Sequence, residues 1–574
     1  MARLMREKLL MQIQMILILI IQLSSIVGGL TNASKNGHQK AITLKTAPNM
    51  RKPRTIVVGG GPVGLSAALL LACRGYDVTV FEATPTEKIK AFDPALAYLY
   101  NINFRGQVFT KKFPSVHNRL LKRSVPSTDT GLIVAPGDVE KKIQYPKLPI
   151  EEGDCSYWIP RHEMVLLMWD AIDQHNNERG DSNSVGRIDY EHGVDCIHVH
   201  PSDEHENHVS VVVKTKSNGK EKTVEANLVV GADGINSKVR ECLRERAGLF
   251  ETWRYNDKKF KIRKWVTPAT GLRLKALQLP ADNYWVQDAN GQKVMIKKND
   301  LVAVRGKRTG PLEYLSLGSL PVNHSTTIRP ANCITRPNHV LWNMKNAAEM
   351  KTWFKDNFPR LDLDDMISDH EWERFAKADG LAFPPCQYSP GLQVSSDNNE
   401  YGVVLLGDAA HAFSPDIGQG INAGLMDAVQ FNEILAKTCA DEASIESTKI
   451  TLGAALKEYE RIRAPETRAL IRLARFGSPY QYNQPWLKDR IGKKLWTANV
   501  IMRVFLNKLS FGIFPKPMIL AASSKKLTYR QLVRRADLGT LGLVSAVVFS
   551  ILKIFVSHTL FREKILPGVL TFVQ

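Results

Sequence analysis

Short apolar runs that end at glycine recur along the middle of the chain. Ile56–Val58 precedes three consecutive glycines, Leu228–Val230 precedes Gly231, and Val404–Leu406 precedes Gly407. Runs of this length without polar alternation predict strands that are buried on both faces of a parallel sheet. Between the first two runs, small residues predict a helix over 62–74, and alternation predicts a strand over 77–81 that ends at Glu82. The first predicted unit is therefore β-α-β.

The pattern changes further along the chain. From about residue 250 to 390 strand-like stretches and turns dominate, which predicts a separate sheet-rich domain, and from about 420 to 535 helical patterns prevail. At 574 residues the chain is long enough for two or more domains. The predicted segments are 1–29 (signal-like or anchor), 30–54 (flexible and basic), 55–249 (nucleotide-binding, with part of the substrate region), 250–394 (substrate-domain sheet), 395–440 (second nucleotide-binding segment), 441–537 (helical) and 538–561 (candidate membrane span).

Both ends of the chain carry apolar segments with basic flanks. Residues 1–29 resemble a signal peptide, and an uncleaved membrane anchor is the alternative. Residues 538–561 are long enough to span a bilayer, and a buried amphipathic helix is the alternative. Five cations precede the second segment, namely Lys525, Lys526, Arg530, Arg534 and Arg535. By the positive-inside tendency the body would face the cytosol, whereas a cleaved signal peptide would send it into a lumen, so the topology stays open.

The net charge of +20 belongs to the two ends of the chain. Residues 1–54 contain nine Lys/Arg and one acid, and residues 468–574 contain eighteen Lys/Arg and three acids. This distribution favours membrane or targeting roles at the termini over nucleic-acid binding. The seven cysteines show no C-x-x-C spacing, so we predict neither a zinc site nor a disulfide framework, and no metal site is expected.

The glycine loop after the first strand has the spacing G-x-G-x-x-G. Gly59 would permit the tight turn, Gly61 the close approach of a pyrophosphate, and Gly64 the close packing of helix on strand. Glu82, at the end of the second strand, is placed to bind an adenosine ribose. Strand, helix and acid together indicate a dinucleotide site.

Residues 404–428 form a second candidate cofactor segment. Asp408 ends the strand and could accept a hydrogen bond from a ribose hydroxyl. After Pro415, Gly418 and Gly420 open a long helix whose N-terminus would stabilise the negative charge of a reduced flavin. A third segment, GADGINSKVR, places Asp233 after the strand over 228–230. His411 is interpreted as structural rather than as a catalytic base.

The three segments, in this order and at these separations, resemble those of class A FAD-dependent aromatic monooxygenases, the para-hydroxybenzoate hydroxylase type. The resemblance implies an α/β fold: a Rossmann-type FAD-binding domain with an inserted sheet-rich substrate domain, C-terminal helices and a tail anchor. It assigns Arg105 and Arg161 to FAD contacts, Asp408 to the ribose, and Ile421 and Asn422 to the isoalloxazine.

Within this family, GDAAHAFSPDIGQGINAG and EYERIRAPETRALIRLAR resemble the kynurenine 3-monooxygenase branch. That branch has aromatic residues after the motif proline, where this chain has Asp416 and Ile417. Two further substrate positions of the branch align with Gly477 and Ile519.

The implied function is hydroxylation of a small aromatic substrate with FAD, NADPH or NADH, and O2. No catalytic side chain is assigned. The substrate is predicted to be kynurenine, with a neutral phenol or quinone as the alternative. A second alternative is an FAD-dependent reductase of the geranylgeranyl-reductase type. Membrane association is predicted, at the mitochondrial outer membrane by resemblance or along a secretory or plastid route by the N-terminal segment.

Overall fold

The computed structural model describes residues 53–90, 98–146, 155–179, 185–202, 208–245, 257–282, 284–307, 315–439, 452–482, 486–522 and 524–564. The described residues divide into two compact units, one that ends at Arg490 and one that begins at Ile491. The predicted segments 1–29 and 30–54 fall outside the described residues, except for positions 53 and 54.

The strands, in chain order, are β1 Arg54–Val58, β2 Asp77–Glu82, β3 Leu99–Ile102, β4 Val125–Pro126, β5 Leu132–Ala135, β6 Tyr157–Pro160, β7 Ile188–His192, β8 Val194–Pro201, β9 Val209–Thr215, β10 Glu221–Ala226, β11 Leu228–Gly231, β12 Arg263–Trp265, β13 Arg273–Pro280, β14 Trp285–Gln287, β15 Lys293–Met295, β16 Leu301–Arg305, β17 Ser316–Ser319, β18 Ile328–Thr335, β19 Leu381–Ala382, β20 Cys386–Tyr388, β21 Gln393–Ser395, β22 Gly402–Leu405 and β23 His411–Ala412.

The α-helices are α1 Pro62–Ala72, α2 Thr86–Lys90, α3 Phe104–Thr110, α4 Pro114–Arg123, α5 Arg161–Glu178, α6 Lys238–Glu245, α7 Asp257–Phe260, α8 Ala347–Asn357, α9 Leu363–Met366, α10 Asp369–Lys377, α11 Gly420–Cys439, α12 Leu452–Phe476, α13 Leu487–Leu509, α14 Met518–Ala521 and α15 Tyr529–Lys564. Short 3-10 helices lie at Ser127–Asp129, Val340–Trp342, Gly407–Ala409 and Pro415–Ile417.

The first sheet has the strand order β21-β22-β11-β1-β2-β7. The five strands from β22 to β7 run parallel, and β21 joins β22 antiparallel. Strands β1, β11 and β22 are the apolar runs singled out in the sequence, and they are almost wholly buried. This confirms the predicted α/β fold with a Rossmann-type sheet, since strands covered on both faces contain few polar residues.

The second large sheet has the order β19-β13-β18-β17-β16-β5. Its core combines alternate residues of these strands with apolar residues of α8 and α10, among them Phe354, Trp372 and Phe375. Strand β5 comes from residues 132–135 and pairs in parallel with β16. The sheet therefore takes one strand from a part of the chain that precedes it by more than a hundred residues.

Besides the two large sheets, the described residues form the two-stranded sheet β14-β15 and three sheets of three strands each. Strands β10, β9 and β8 form an antiparallel meander, and β3, β6 and β4 form another small sheet. Strands β12, β20 and β23 form a third. Because β19 pairs with β13, and β20 pairs with β23, residues 381–388 lead from the edge of the second sheet to the segment before Pro415.

The last described helix, α15, contains the whole predicted span 538–561 and begins nine residues before it, at Tyr529. Among the described residues, Tyr529–Lys553 is the one helix long and apolar enough to cross a membrane, by length and composition. Little of its apolar surface is buried in the protein.

Candidate functional site

Four parallel strands of the first sheet end side by side, each at a loop that carries a predicted site residue. In the register, Val58 of β1 pairs with Phe81 of β2 and with Gly231 of β11, and Gly231 pairs with Leu405 of β22. Carboxyl ends of adjacent parallel strands share one edge of the sheet, which is where open α/β sheets bind ligands. This edge brings together Gly59, Glu82, Asp233 and Asp408.

The loop after β1 is closely packed except at Gly61. Gly59 has a φ of +105°, and a Cβ there would lie 2.4 Å from the carbonyl oxygen of Ala232. A Cβ on Gly64 would lie 1.9 Å from the carbonyl oxygen of Gly59, whereas a Cβ on Gly61 would meet nothing within 4 Å. The N-terminus of α1 has no side-chain cap. Its first N–H groups and the space at Gly61 therefore suit an anion such as a pyrophosphate.

Glu82 links the end of β2 to this loop. Its Oε2 accepts a hydrogen bond from the N–H of Gly60 at 2.6 Å, and its Oε1 accepts one from the N–H of Thr84 at 2.8 Å. Each carboxylate oxygen has two lone pairs, so a ribose hydroxyl could still donate to either one. The two bonds hold the carboxylate at the end of β2, and its contact with an adenosine ribose stays a prediction.

The loops after β11 and β22 are joined by Arg240. Its Nη1 donates to the carbonyl oxygen of Ala409 at 2.6 Å, and its Nη2 donates to that of Ile235 at 2.9 Å. In the same loop, Asp233 Oδ2 accepts from the N–H of Val239 at 3.1 Å, while its buried Oδ1 has no hydrogen-bond partner in the described structure. Burial raises the pKa of Asp233.

Asp408 lies in the short 3-10 helix that follows β22. Solvent still reaches its side chain, although burial raises the pKa of its carboxyl group. The charge of Asp427 raises this pKa further, and His411 opposes the effect. A carboxylate that solvent can reach is free to accept a hydrogen bond from a hydroxyl of a bound ligand.

Arg161, the first residue of α5, lies within electrostatic reach of Glu82 at the end of β2. Burial lowers the pKa of its guanidinium, but Tyr100, Tyr98 and Glu82 outweigh burial and raise it. The side chain is therefore a cation at the positive end of a helix, where an anionic ligand would relieve the unfavourable charge. Arg105, by contrast, is buried in α3 with its guanidinium carbon 4.9 Å from the centre of the Phe104 ring.

The start of α11 faces open space. Gly418 has a φ of +59°, and a Cβ on Gly418 or Gly420 would meet nothing within 4 Å. The backbone N–H groups of the first helical turn have no acceptor within the helix. A flat ring with negative charge on one edge could therefore approach the backbone of residues 420–422 directly.

The Asn422 side chain is engaged in a different contact. Its Oδ1 accepts from the N–H of Asn103 at 3.0 Å, and its Nδ2 donates to the carbonyl oxygens of Asn101 at 2.8 Å and Gly418 at 3.1 Å. The side chain thus ties β3 to the start of α11. At position 422, the backbone is what remains for a cofactor.

A buried charged network, largely missed by the sequence analysis, supports these loops. Asp427 Oδ2 lies 2.7 Å from His411 Nε2 and accepts from the N–H of Gly407 at 2.9 Å. Asp427 Oδ1 accepts from Arg463 Nε at 2.8 Å and from Nη2 of the same residue. His411 is 1% exposed, Asp427 1% and Arg463 3%. In the sequence, the one indication of this network is Asp427, an acid within an apolar stretch of α11.

The observed site fits FAD. The open position at Gly61 and the uncapped α1 suit the pyrophosphate, Glu82 and Asp408 offer carboxylates for hydroxyl groups, and the start of α11 suits a flavin ring. Among the described residues, no group of three or more His, Cys, Asp and Glu side chains could hold a metal ion.

The chain belongs to the FAD-binding-domain family, whose model matches residues 183–474, just over half of the sequence. A model of an NAD(P)-binding Rossmann-like domain matches residues 57–86, which contain the glycine loop and Glu82. The resemblance to class A FAD-dependent monooxygenases is confirmed, and the protein is an FAD-dependent monooxygenase that uses NAD(P)H.

Curated relatives cover most of the chain. It is 26% identical to a kynurenine 3-monooxygenase of Salinispora arenicola over 468 residues, which is 80% of this chain and 86% of the relative. It is 23% identical to a kynurenine 3-monooxygenase of Candida albicans over 424 residues, 73% of this chain and 78% of that one. A solved structure of CtdE with FAD and a substrate matches with a TM-score of 0.51 and 16% identity, over 85% of this chain and 99% of that chain, which shows the same fold.

Asp408→Ala is expected to weaken FAD binding roughly ten- to a hundredfold, because a charge-assisted hydrogen bond contributes on the order of 1.5–3 kcal/mol. Binding can be measured by titrating apoprotein with FAD. Asp189→Ala, which removes an exposed carboxylate on β7, should leave the affinity unchanged. Equal weakening in both variants would remove Asp408 from the site.

Asp408 also predicts a pH dependence. A hydroxyl donor stabilises the charged carboxylate, so bound FAD should lower the raised pKa of Asp408. FAD should therefore bind more tightly as the pH rises through that pKa, and Asp408→Ala should lose this dependence. Affinities measured over a pH series in both proteins check the sign.

Proposed function

We propose that the protein hydroxylates a small electron-rich aromatic compound, and that kynurenine is the first substrate to test. The observation that carries the proposal is the cofactor cradle, in which Gly61, Asp408 and the start of α11 converge on one edge of the sheet. The curated relatives named above support kynurenine in particular.

Bound FAD, reduced by NAD(P)H, supplies the activated oxygen. The chain binds and orients the cofactor: the N-terminus of α1 and Arg161 would hold the pyrophosphate, and Asp408 a hydroxyl of the ribityl or ribose part. The backbone N–H groups at the start of α11 would stabilise negative charge on the ring. No proton transfer is assigned to a side chain.

The second sheet offers a surface for the substrate. One of its faces is covered by α8 and α10, and the opposite face carries Arg305, Ser316 and Asn332. Arg305 Nη1 donates to Ser316 Oγ at 2.9 Å, and the buried Oδ1 of Asn332 has no hydrogen-bond partner in the described structure. A guanidinium and an amide oxygen on one face suit the carboxylate and the amine of an amino acid.

This surface is connected to the flavin segment by residues 381–388. The Ser414 hydroxyl donates to the carbonyl oxygen of Pro384 at 3.1 Å. The side chain of Asp416 lies outside the described part of the chain. An acid at position 416 places a negative charge in the flavin segment, which disfavours a substrate carboxylate and keeps a neutral phenol or quinone as the alternative.

The test is the dependence of NADPH oxidation on substrate. Purified holoprotein is incubated with NADPH, O2 and either kynurenine or a neutral phenol, and the products are separated by mass. The proposal expects 3-hydroxykynurenine to form and NADPH oxidation to accelerate with kynurenine. A phenol that accelerates oxidation while kynurenine does not would overturn the kynurenine assignment and leave the hydroxylase class standing.

We also propose that the protein is held at a membrane by α15. Deleting residues 538–574 should move part of the protein from the membrane fraction to the soluble fraction. The release should be partial because each of the cations over 525–535 can still contribute about 1 kcal/mol on anionic lipid. The deletion is made with and without residues 2–29. Unchanged pelleting of the doubly deleted protein would exclude α15 as the anchor.

A further inference from the structure

Helix α13 carries an exposed apolar stripe. From Ile491 onward, six apolar residues follow each other at intervals of three or four, which places them on one face of the helix. All six are exposed, Leu495 by 67% and Phe505 by 61%; they are Ile491, Leu495, Ala498, Met502, Phe505 and Leu509. An uninterrupted apolar face on the surface of a protein marks an interaction site.

The stripe continues beyond the end of α13. Phe511 is 97% exposed, and Ile513 in the following turn is also exposed. Nothing in the described part of the second unit, residues 491–564, covers these side chains. The surface therefore needs a partner of its own.

Contacts within the second unit fix α13 relative to the start of α15. Arg503, on the face away from the stripe, is buried and donates from Nη2 to Thr540 Oγ1 at 2.6 Å. In the turn, Asn507 Nδ2 donates to the carbonyl oxygen of Phe514 at 2.5 Å. A Cβ on Gly539 would lie 2.7 Å from Pro515, so α15 packs tightly on the turn.

The positive charge of the second unit indicates what kind of partner the stripe would contact. Residues 491–537 contain ten Lys/Arg and one acid, Asp537. On α13 itself, Lys494 and Lys508 are exposed on one side of the apolar stripe. Apolar side chains flanked by lysines on one helix are the pattern of helices that lie in the surface of an anionic bilayer.

We propose that α13 lies in the surface of an anionic lipid bilayer, with its stripe among the acyl chains and its lysines at the headgroups. The contact with Thr540 places it next to α15, whose exposed apolar residues include Leu541, Val544 and Val548. The two helices form a single membrane-binding hairpin, with α13 in the plane and α15 crossing. This inference does not depend on the identity of the substrate.

The proposal is tested with a photoreactive residue in the full-length protein. Benzoylphenylalanine replaces Leu495 or Phe505 in the stripe, and Thr497, which is exposed on another face of α13, serves as the matched control. Each purified variant is reconstituted into vesicles of phosphatidylcholine and phosphatidylserine and irradiated, and lipid adducts are quantified by mass.

The expected result is several-fold more lipid adduct at positions 495 and 505 than at position 497, with the difference reduced in vesicles of phosphatidylcholine alone. Equal adduct at 495 and 497 would overturn the proposal. Covalent dimers would instead identify a second copy of the chain as the partner, and cross-links within one chain would show that the stripe is covered by the protein itself. The holoprotein spectrum checks that each variant remains folded.

Discussion

Asp427→Asn is expected to lower the free energy of unfolding by about 3–5 kcal/mol, because it leaves the buried guanidinium of Arg463 without its counter-charge. Asp427 accepts hydrogen bonds from Arg463 and from the N–H of Gly407, so the loss also loosens the loop that carries Asp408. Urea unfolding of the holoprotein, followed by circular dichroism, measures the change.

Glu458→Gln is the control for this prediction. Glu458 pairs with Arg461 on the surface of α12, the helix that also carries Arg463. Surface pairs contribute little because water screens them, so a much smaller change is expected. Equal destabilisation of both variants would show that the buried network contributes no more than a surface pair.

The network also predicts acid sensitivity. Burial opposes ionisation of Asp427, but Arg463 and His411 outweigh it and lower the pKa of the carboxyl group. Ionised Asp427 therefore stabilises the folded protein fully at pH values above about 3.9, the pKa of an Asp side chain in the unfolded chain. This stabilisation is lost as the pH falls through the lower pKa that Asp427 has in the folded protein. Asp427→Asn should lack this part of the pH dependence, which unfolding curves below pH 5 would show.

Gly61→Val is expected to weaken FAD binding strongly while the fold persists. Position 61 has an extended backbone with a φ of −73°, which any residue adopts, and a Cβ there meets nothing within 4 Å. The valine would instead occupy the space assigned to the pyrophosphate. Loss of two charge-assisted bonds, each on the order of 1.5–3 kcal/mol, would lower affinity roughly a hundred- to ten-thousandfold.

Gly64→Ala is the control that distinguishes a loss of stability from a loss of FAD binding. Its Cβ would collide with the carbonyl oxygen of Gly59, a backbone atom that cannot move aside. We therefore expect this smaller substitution to lower the melting temperature of the apoprotein, whereas Gly61→Val leaves it near the wild-type value. FAD binding by Gly61→Val at wild-type affinity would contradict the placement of the pyrophosphate.

Local patterns were enough to predict the strand ends and their loops. Buried parallel strands carry continuous apolar runs, so β1, β11 and β22 are visible in the sequence, and the glycine spacing predicts the turn that follows β1. The positions of Gly59, Glu82, Asp233 and Asp408 on one edge follow from these elements alone. Their roles in FAD binding remain predictions.

Contacts between distant segments were not predictable in this way. The pairing of β5 with β16 joins residues 132–135 to 301–304. Asp427 and Arg463 meet because α11 and α12 pack together, although 36 residues separate them. The apolar period of α13 is present in the sequence, but periodicity does not tell whether such a face is buried in a core or exposed. Only the structure makes that distinction.

The central claim is that this protein transfers one oxygen atom from O2 to an aromatic ring with electrons from NAD(P)H. The most direct test is to incubate the holoprotein with NADPH, kynurenine and isotopically heavy O2, and to determine the mass of the product. The account predicts hydroxykynurenine that carries one heavy oxygen atom, formed only while NADPH is consumed. Rapid consumption of NADPH with no heavy oxygen in kynurenine, or in any phenol or quinone tested beside it, would contradict the account.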